Sequence, residues 1–113
     1  GKKCAAMEGL IEEGKEVLEA DGEPEIVDAA LIVAAQRIEH YEISAYGSAR
    51  TIAEHLGHAE VAELLQETLD EEKAADEKLT DVCVGEVLPA ATPTDEEGEE
   101  DEEGEEEEPT PPA

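Results

Sequence analysis

Tryptophan and phenylalanine are absent from the chain, and tyrosine occurs only twice. Any core must therefore be built from Leu, Ile, Val and Ala, without the large rings that anchor many small domains. Cysteine also occurs twice, too seldom for the disulfide framework of a small secreted domain. Cationic residues are scarce: 7 Lys and Arg stand against 34 Asp and Glu, a net charge of −27 over 113 residues. A surface of that sign repels phosphate backbones and anionic lipid, which excludes generic binding to nucleic acid or membrane surfaces. No uninterrupted apolar run approaches the roughly 20 residues that span a bilayer, and no basic-then-apolar leader opens the sequence. A reduced, cytoplasmic setting is the expectation.

The acids are unevenly placed. Asp95 to Glu108 holds 12 acids, 2 Gly and no base, as two near-repeats of Asp-Glu-Glu-Gly-Glu-Glu. Pro89, Pro93, Pro109, Pro111 and Pro112 flank the run. A segment of this composition has no apolar surface to bury, and its charges repel one another. Residues 86–113 are therefore expected to form a disordered tail, serving solubility or acting as an interaction tail or loose cation sponge. Residues 1–85 form the expected helical domain.

Within that domain, helical spacing recurs three times. Met7, Leu10, Ile11 and Leu18 mark a short helix from Lys3 to Ala20, weakened by Gly9 and Gly14. Asp21-Gly22 ends it, and Pro24 suits the first turn of the next helix. In that second helix Val27, Leu31, Ala34, Ile38, Tyr41, Ala45, Ser48, Ile52 and His55 alternate in steps of three and four, a seam along one face. Between Ala29 and Ala35 nearly every residue is apolar, which predicts cover from more than one side. Gly57 is a natural stop. A third helix from about Ala59 to Val84 carries the seam Val61, Leu65, Thr68, Glu72, Ala75, Leu79 and Val82.

Glu72 sits in the middle of that apolar face, with Asp76 one turn further on. A buried carboxylate costs several kcal/mol unless paired, protonated or bound to metal. Glu42 lies at the edge of the facing seam, Glu39 further round, and His40 largely away. If the two long helices pack antiparallel across Gly57, positions 42 and 72 face each other. Lys73 and Arg37 lie off the seam, so a divalent metal is the simplest compensation, and carboxylate oxygens suit iron or manganese better than zinc. A partly wet bundle edge with solvated carboxylates is the competing account. Tyr41 could bond a metal-ligating carboxylate or simply pack in the core. His55 and His58 read as turn or cap residues, and Cys4 and Cys83 as reduced thiols.

Four segments in order carry a resemblance: Cys4-Ala-Ala-Met-Glu-Gly-Leu-Ile-Glu-Glu, Asp28-Ala-Ala-Leu-Ile, Ile38-Glu-His-Tyr-Glu-Ile with Tyr46-Gly47, and Glu67-Thr-Leu-Asp-Glu-Glu-Lys-Ala-Ala-Asp-Glu-Lys-Leu. Together they resemble the YciE/YciF family of ferritin-like bacterial stress proteins, from Lys3 to about Val84. The resemblance implies an all-α, ferritin-like helical bundle and a di-iron or di-manganese carboxylate site. Such bundles take one Glu from each of two helices and a Glu-x-x-His pair from each of the others. On this chain the implied metal ligands are Glu42, Glu72 and Asp76. Asp76 stands in because Ala75 occupies the position where the His would fall.

The family also has two long helices ahead of the Cys4 segment, and this sequence starts with Gly1 rather than Met. A short helix plus a long antiparallel hairpin is half of a four-helix bundle. Chains this small bury too little area to be stable with an exposed seam. Two completions are expected: missing N-terminal helices of the same domain, or a homodimer. Function then divides between a metal-binding stress protein and a non-catalytic helical interaction or stress protein that has lost the site.

Overall fold

The computed structural model describes residues 1–91. Helix α1 spans Ala5–Glu19, α2 spans Pro24–His55 and α3 spans Ala59–Val82; a π-helical turn, Cys83–Val87, leads into a last helical turn, α4, Leu88–Ala91. No strand occurs among the described residues. The all-α architecture and the three main helices match the sequence spacing to within a few residues. None of the described helices is long and apolar enough to cross a membrane.

The hairpin between α2 and α3 is set by its turn. Gly57 has a positive φ of 80°, a conformation that glycine adopts without steric cost. The His58 N–H bonds the Ala53 carbonyl at 2.9 Å and the Gly57 N–H bonds the Glu54 carbonyl at 3.0 Å. That pair of bonds satisfies carbonyls a helix end otherwise leaves open and reverses the chain within three residues. The register follows. Gln36 Nε2 donates to Thr80 Oγ1 at 2.7 Å, and His40 Nε2 meets Asp76 Oδ2 at 3.0 Å. Each step up α2 matches a step down α3, as an antiparallel hairpin closed at Gly57 requires.

Helix α1 crosses the other side of α2, so the middle helix is covered from two sides, as its apolar stretch predicts. Cys4 caps α1, its Sγ accepting from the Met7 N–H at 3.4 Å. The same sulfur lies 3.2 Å from the Tyr41 hydroxyl. Tyr41 is therefore neither a carboxylate partner nor a core residue: it is 38% exposed and bonded to the α1 cap. Arg37 Nη1 reaches Glu13 Oε2 at 3.4 Å, an exposed ion pair that contributes little.

Burial is thin. Among the described residues the core consists of Ile32, Ala34, Ala53, Ala62 and Leu69, and no side chain is fully enclosed. Small residues at the α2–α3 contact let the helices approach closely: Leu69 packs against the backbone at Gly47. The seam read from the sequence overlaps this core only at Ala34. Ile52 and Val61, both assigned to the seam, stand 58% and 49% exposed. Periodicity locates the apolar face of a helix, whereas burial also needs something to cover it.

The helical domain also runs further than expected. Residues 86–91, assigned to the tail, are helical. Pro89 has no N–H and its ring crowds the carbonyl four residues back. The wider π turn just before it, with the Leu88 N–H bonded to the Cys83 carbonyl five residues back, takes up that mismatch. The rest of the expected tail, 92–113, lies outside the described residues.

Two glycine substitutions should act in opposite directions. At Gly57 an Ala must adopt the left-handed conformation, so Gly57→Ala should lower unfolding stability by about 1–2 kcal/mol. At Gly47 an added Cβ meets only Leu69 Cδ2, at an ordinary contact distance of 4.0 Å. Gly47→Ala should therefore raise stability by roughly 0.5–1 kcal/mol through helix propensity. Urea denaturation of both variants checks the pair.

Candidate metal centre

The antiparallel register brings three carboxylates to one level. Glu39 and Glu42 are three residues apart on α2, so they lie one above the other on one face. Glu72 sits at the matching height of α3. One oxygen from each of Glu39, Glu42 and Glu72 lies within 4.8 Å of the other two, and all three residues are partly buried. This level falls near the midpoint of both Pro24–His55 and Ala59–Val82.

Among the described residues no basic side chain pairs with these carboxylates. The described ion pairs join Lys3 to Glu8, Lys15 to Glu12, Arg37 to Glu13, His40 to Asp76 and Arg50 to Glu54. None of them touches the triad. Glu39 Oε2 is buried with no hydrogen-bond partner. The Glu42 carboxyl is pushed above the usual carboxylate range, first by its hydrogen bond to Glu72, then by burial and by the Glu72 charge. Glu72 is raised as well, chiefly by its hydrogen bond to Glu39, while the bond from Glu42 pulls the other way; burial and the charges of Glu39 and Glu71 add to the rise. Clustered carboxylates without a cation hold protons between them, because like charges this close disfavour joint ionisation.

The residues fit a hard divalent cation. Three convergent carboxylate oxygens, one neighbouring oxygen left without a donor and no competing base form an all-oxygen donor set.

The structure brings together two of the three ligands expected from sequence, Glu42 and Glu72. It separates the third. Asp76 lies outside the triad, its Oδ2 taken by His40 at 3.0 Å and its backbone carbonyl accepting from Gln36 Nε2 at 3.3 Å. His40 accordingly does not point away from the hairpin: it spans the groove to α3. Glu39 takes the place expected for Asp76. The signal for it was the spacing Glu39-x-x-Glu42, which stacks two carboxylates on one helix face. Counting seam positions had placed Glu39 too far round, because the true α2–α3 contact is rotated from the apolar stripe toward it.

The sequence places this helical chain in a family. Residues 1–92 match the family model described as "Domain of unknown function (DUF892)", and the chain belongs to that family. It is similar to Protein YciF of Escherichia coli (strain K12), with 59% identity over 85 residues, 75% of this chain and 51% of that protein. The crystal structure of the E. coli stress protein YciF superposes with a TM-score of 0.73 at 58% identity, covering 74% of this chain and 53% of the other. A second solved structure, "YcfI, a putative structural protein from Rhodopseudomonas palustris", superposes with a TM-score of 0.68 at 42% identity, covering 71% and 51%. The chain thus spans about half the length of the relatives it matches. The YciE/YciF resemblance carried by the four sequence segments is borne out.

The raised carboxyls dictate a pH dependence. Both folded-state values stand above those of the unfolded chain. The stability these groups lend is full below the unfolded Glu range, about 4.3, and is lost as pH climbs through the raised values. Metal-free protein should therefore gain stability on mild acidification. Glu72→Gln removes the central charge, so it should raise the metal-free melting temperature at pH 7 and shrink the gain on acidification. Thermal melts of wild type and variant from pH 4.5 to 8 in chelator check this, since the background charge of −27 is nearly common to both.

Proposed function

We propose that the chain is a ferritin-like, cytoplasmic stress-response protein that holds a divalent cation, manganese or iron, on Glu39, Glu42 and Glu72. The observation that carries this reading is the convergence of three partly buried carboxylates that no Lys or Arg neutralises among the described residues. The stress role comes from the likeness to YciF, described as a stress protein. The cytoplasmic setting accords with two free thiols, Cys4 and Cys83. An all-oxygen donor set favours manganese over metals that prefer imidazole. Once bound, such an ion would supply Lewis-acid or redox chemistry toward oxygen or peroxide.

The chain's own residues do the rest. Glu72 faces the two α2 carboxylates, and the Glu42 and Glu72 carboxyls are both raised by this crowding, so protons that the cluster holds must leave when a cation enters. Metal uptake is therefore coupled to proton release and strengthens with pH. The hairpin supplies no imidazole to the triad, because position 75 is Ala and His40 is engaged by Asp76.

That lack of imidazole favours a second reading, a helical structural or interaction protein without metal chemistry, in keeping with the description of the R. palustris neighbour. Titrating chelator-stripped protein with Mn²⁺ or anaerobic Fe²⁺, followed by calorimetry and elemental analysis, separates the two. The metal reading predicts about one ion per chain, proton release on binding, and at least a ~10-fold loss of affinity in Glu72→Ala. Asp76→Ala should keep the ion. Less than a tenth of an ion per chain after loading leaves the structural reading standing.

A further inference from the structure

Apolar packing between α2 and α3 has a gap at the height of the triad. On α2 no buried apolar side chain lies between Ala34 and Ala53, and among the described residues none follows Leu69 on α3. Glu39, Glu42 and Glu72 stand inside that gap. Outside the carboxylate cluster, polar bonds join the helices there. Gln36 Nε2 donates to Thr80 Oγ1 at 2.7 Å and to the Asp76 carbonyl at 3.3 Å. His40 Nε2 lies 3.0 Å from Asp76 Oδ2. A carboxylate only accepts, so the ring nitrogen carries the hydrogen.

The His40–Asp76 pair is unequal. The Asp76 side chain is 20% exposed and that of His40 67%, and Asp76 Oδ1 is buried with no partner. A carboxylate that leaves water for one bond from a solvent-facing ring is a costly way to join two helices. Its position gives it a use. His40 follows Glu39 directly, and Asp76 lies one turn beyond Glu72. The pair therefore ties the two ligand-bearing turns together from the adjacent flank of the groove. When the three carboxylates ionise to take a cation, they repel one another and press the helices apart. The charge-assisted bond to Asp76 opposes that splaying. Spacing matters to the ion: small hard cations such as magnesium hold oxygens at about 2.0–2.1 Å, whereas calcium accepts about 2.3–2.6 Å in a looser site.

We propose that Asp76 and His40, backed by Gln36 and Thr80, are positioning residues that hold the triad at the opening of a small cation and so set its preference for manganese over calcium. Neither residue touches the ion; both act through Glu39 and Glu72. This role deepens the cation reading above and rests on it.

Titration of the chelator-stripped 113-residue chain with Mn²⁺, read by the electron paramagnetic resonance of the free ion, with Ca²⁺ as competitor, tests the role. His40→Ala and, separately, Asp76→Ala should still fill with Mn²⁺ at saturation. Their Mn²⁺ affinity should fall on the order of tenfold, the low end for outer partners of metal ligands, while Ca²⁺ affinity changes little. Asp76→Asn keeps an oxygen that accepts from His40 and should restore most of the Mn²⁺ preference. Simple loss of folded protein would weaken both ions alike, so the Mn²⁺/Ca²⁺ ratio separates positioning from stability, with helicity checked by circular dichroism. An unchanged ratio in both Ala variants overturns the positioning role and leaves the cation reading intact. Asp76→Asn as weak as Asp76→Ala also overturns it, because the carboxylate charge and not the bond to His40 then matters. A wild-type chain that takes up no Mn²⁺ overturns the cation reading and the positioning role with it.

Discussion

Three carboxylates confined to one level between two helices impose a demand that the rest of the hairpin does not meet from its own side chains. Pairing with a base is the cheapest remedy for such a cluster, yet the two arginines are committed elsewhere, Arg37 to Glu13 and Arg50 to Glu54. Protonation is the second remedy, and the Glu42 and Glu72 carboxyls are shifted in the direction that favours it. It keeps the charge low at the expense of stability near neutral pH. A divalent cation is the third, and it alone lets all three carboxylates ionise together.

The geometry that creates this demand begins far from it. Gly57 terminates α2 in a left-handed residue, and the two bonds that follow fix where α3 starts. From there Thr80 falls opposite Gln36, Asp76 opposite His40 and Glu72 opposite the α2 carboxylates. A shift of one residue in the turn would rotate Glu72 about 100° out of the groove. Close packing matters equally. Gly47, Ala53 and Ala62 leave little side chain between the helices, so carboxylates from opposite helices come within sharing distance of one another. The same economy explains the small core, since a contact made of Ala and Gly buries little apolar area per residue.

Helix positions were legible in the sequence because three local signals agree: spacing of apolar residues, Pro24 at a helix start and Gly57 at a helix end. Glu42 and Glu72 were legible because each interrupts or borders an apolar stripe. Glu39 and Asp76 were exchanged, and the reason is rotational. The apolar stripes of α2 and α3 do not face each other directly; the helices meet along an adjacent line of small residues that includes Ala53 and Ala62. That rotation carries Glu39 inward and leaves Asp76 on the polar side with His40. Stripe counting is blind to it, because Ala fits a close helix contact and a solvent-facing position equally well. The helical continuation to Ala91 was missed for a different reason. Pro89 reads as a helix stop, and the π turn that accommodates it leaves no signature in the spacing of apolar residues.

The cation reading requires that Glu39, Glu42 and Glu72 share one ion. Anomalous diffraction at the manganese edge, on crystals grown with Mn²⁺, tests it most directly. The account predicts a peak about 2.0–2.2 Å from an oxygen of each of the three carboxylates, the range of small hard cations. A peak between Asp76 and His40 alone, or none beside Glu72, would contradict it.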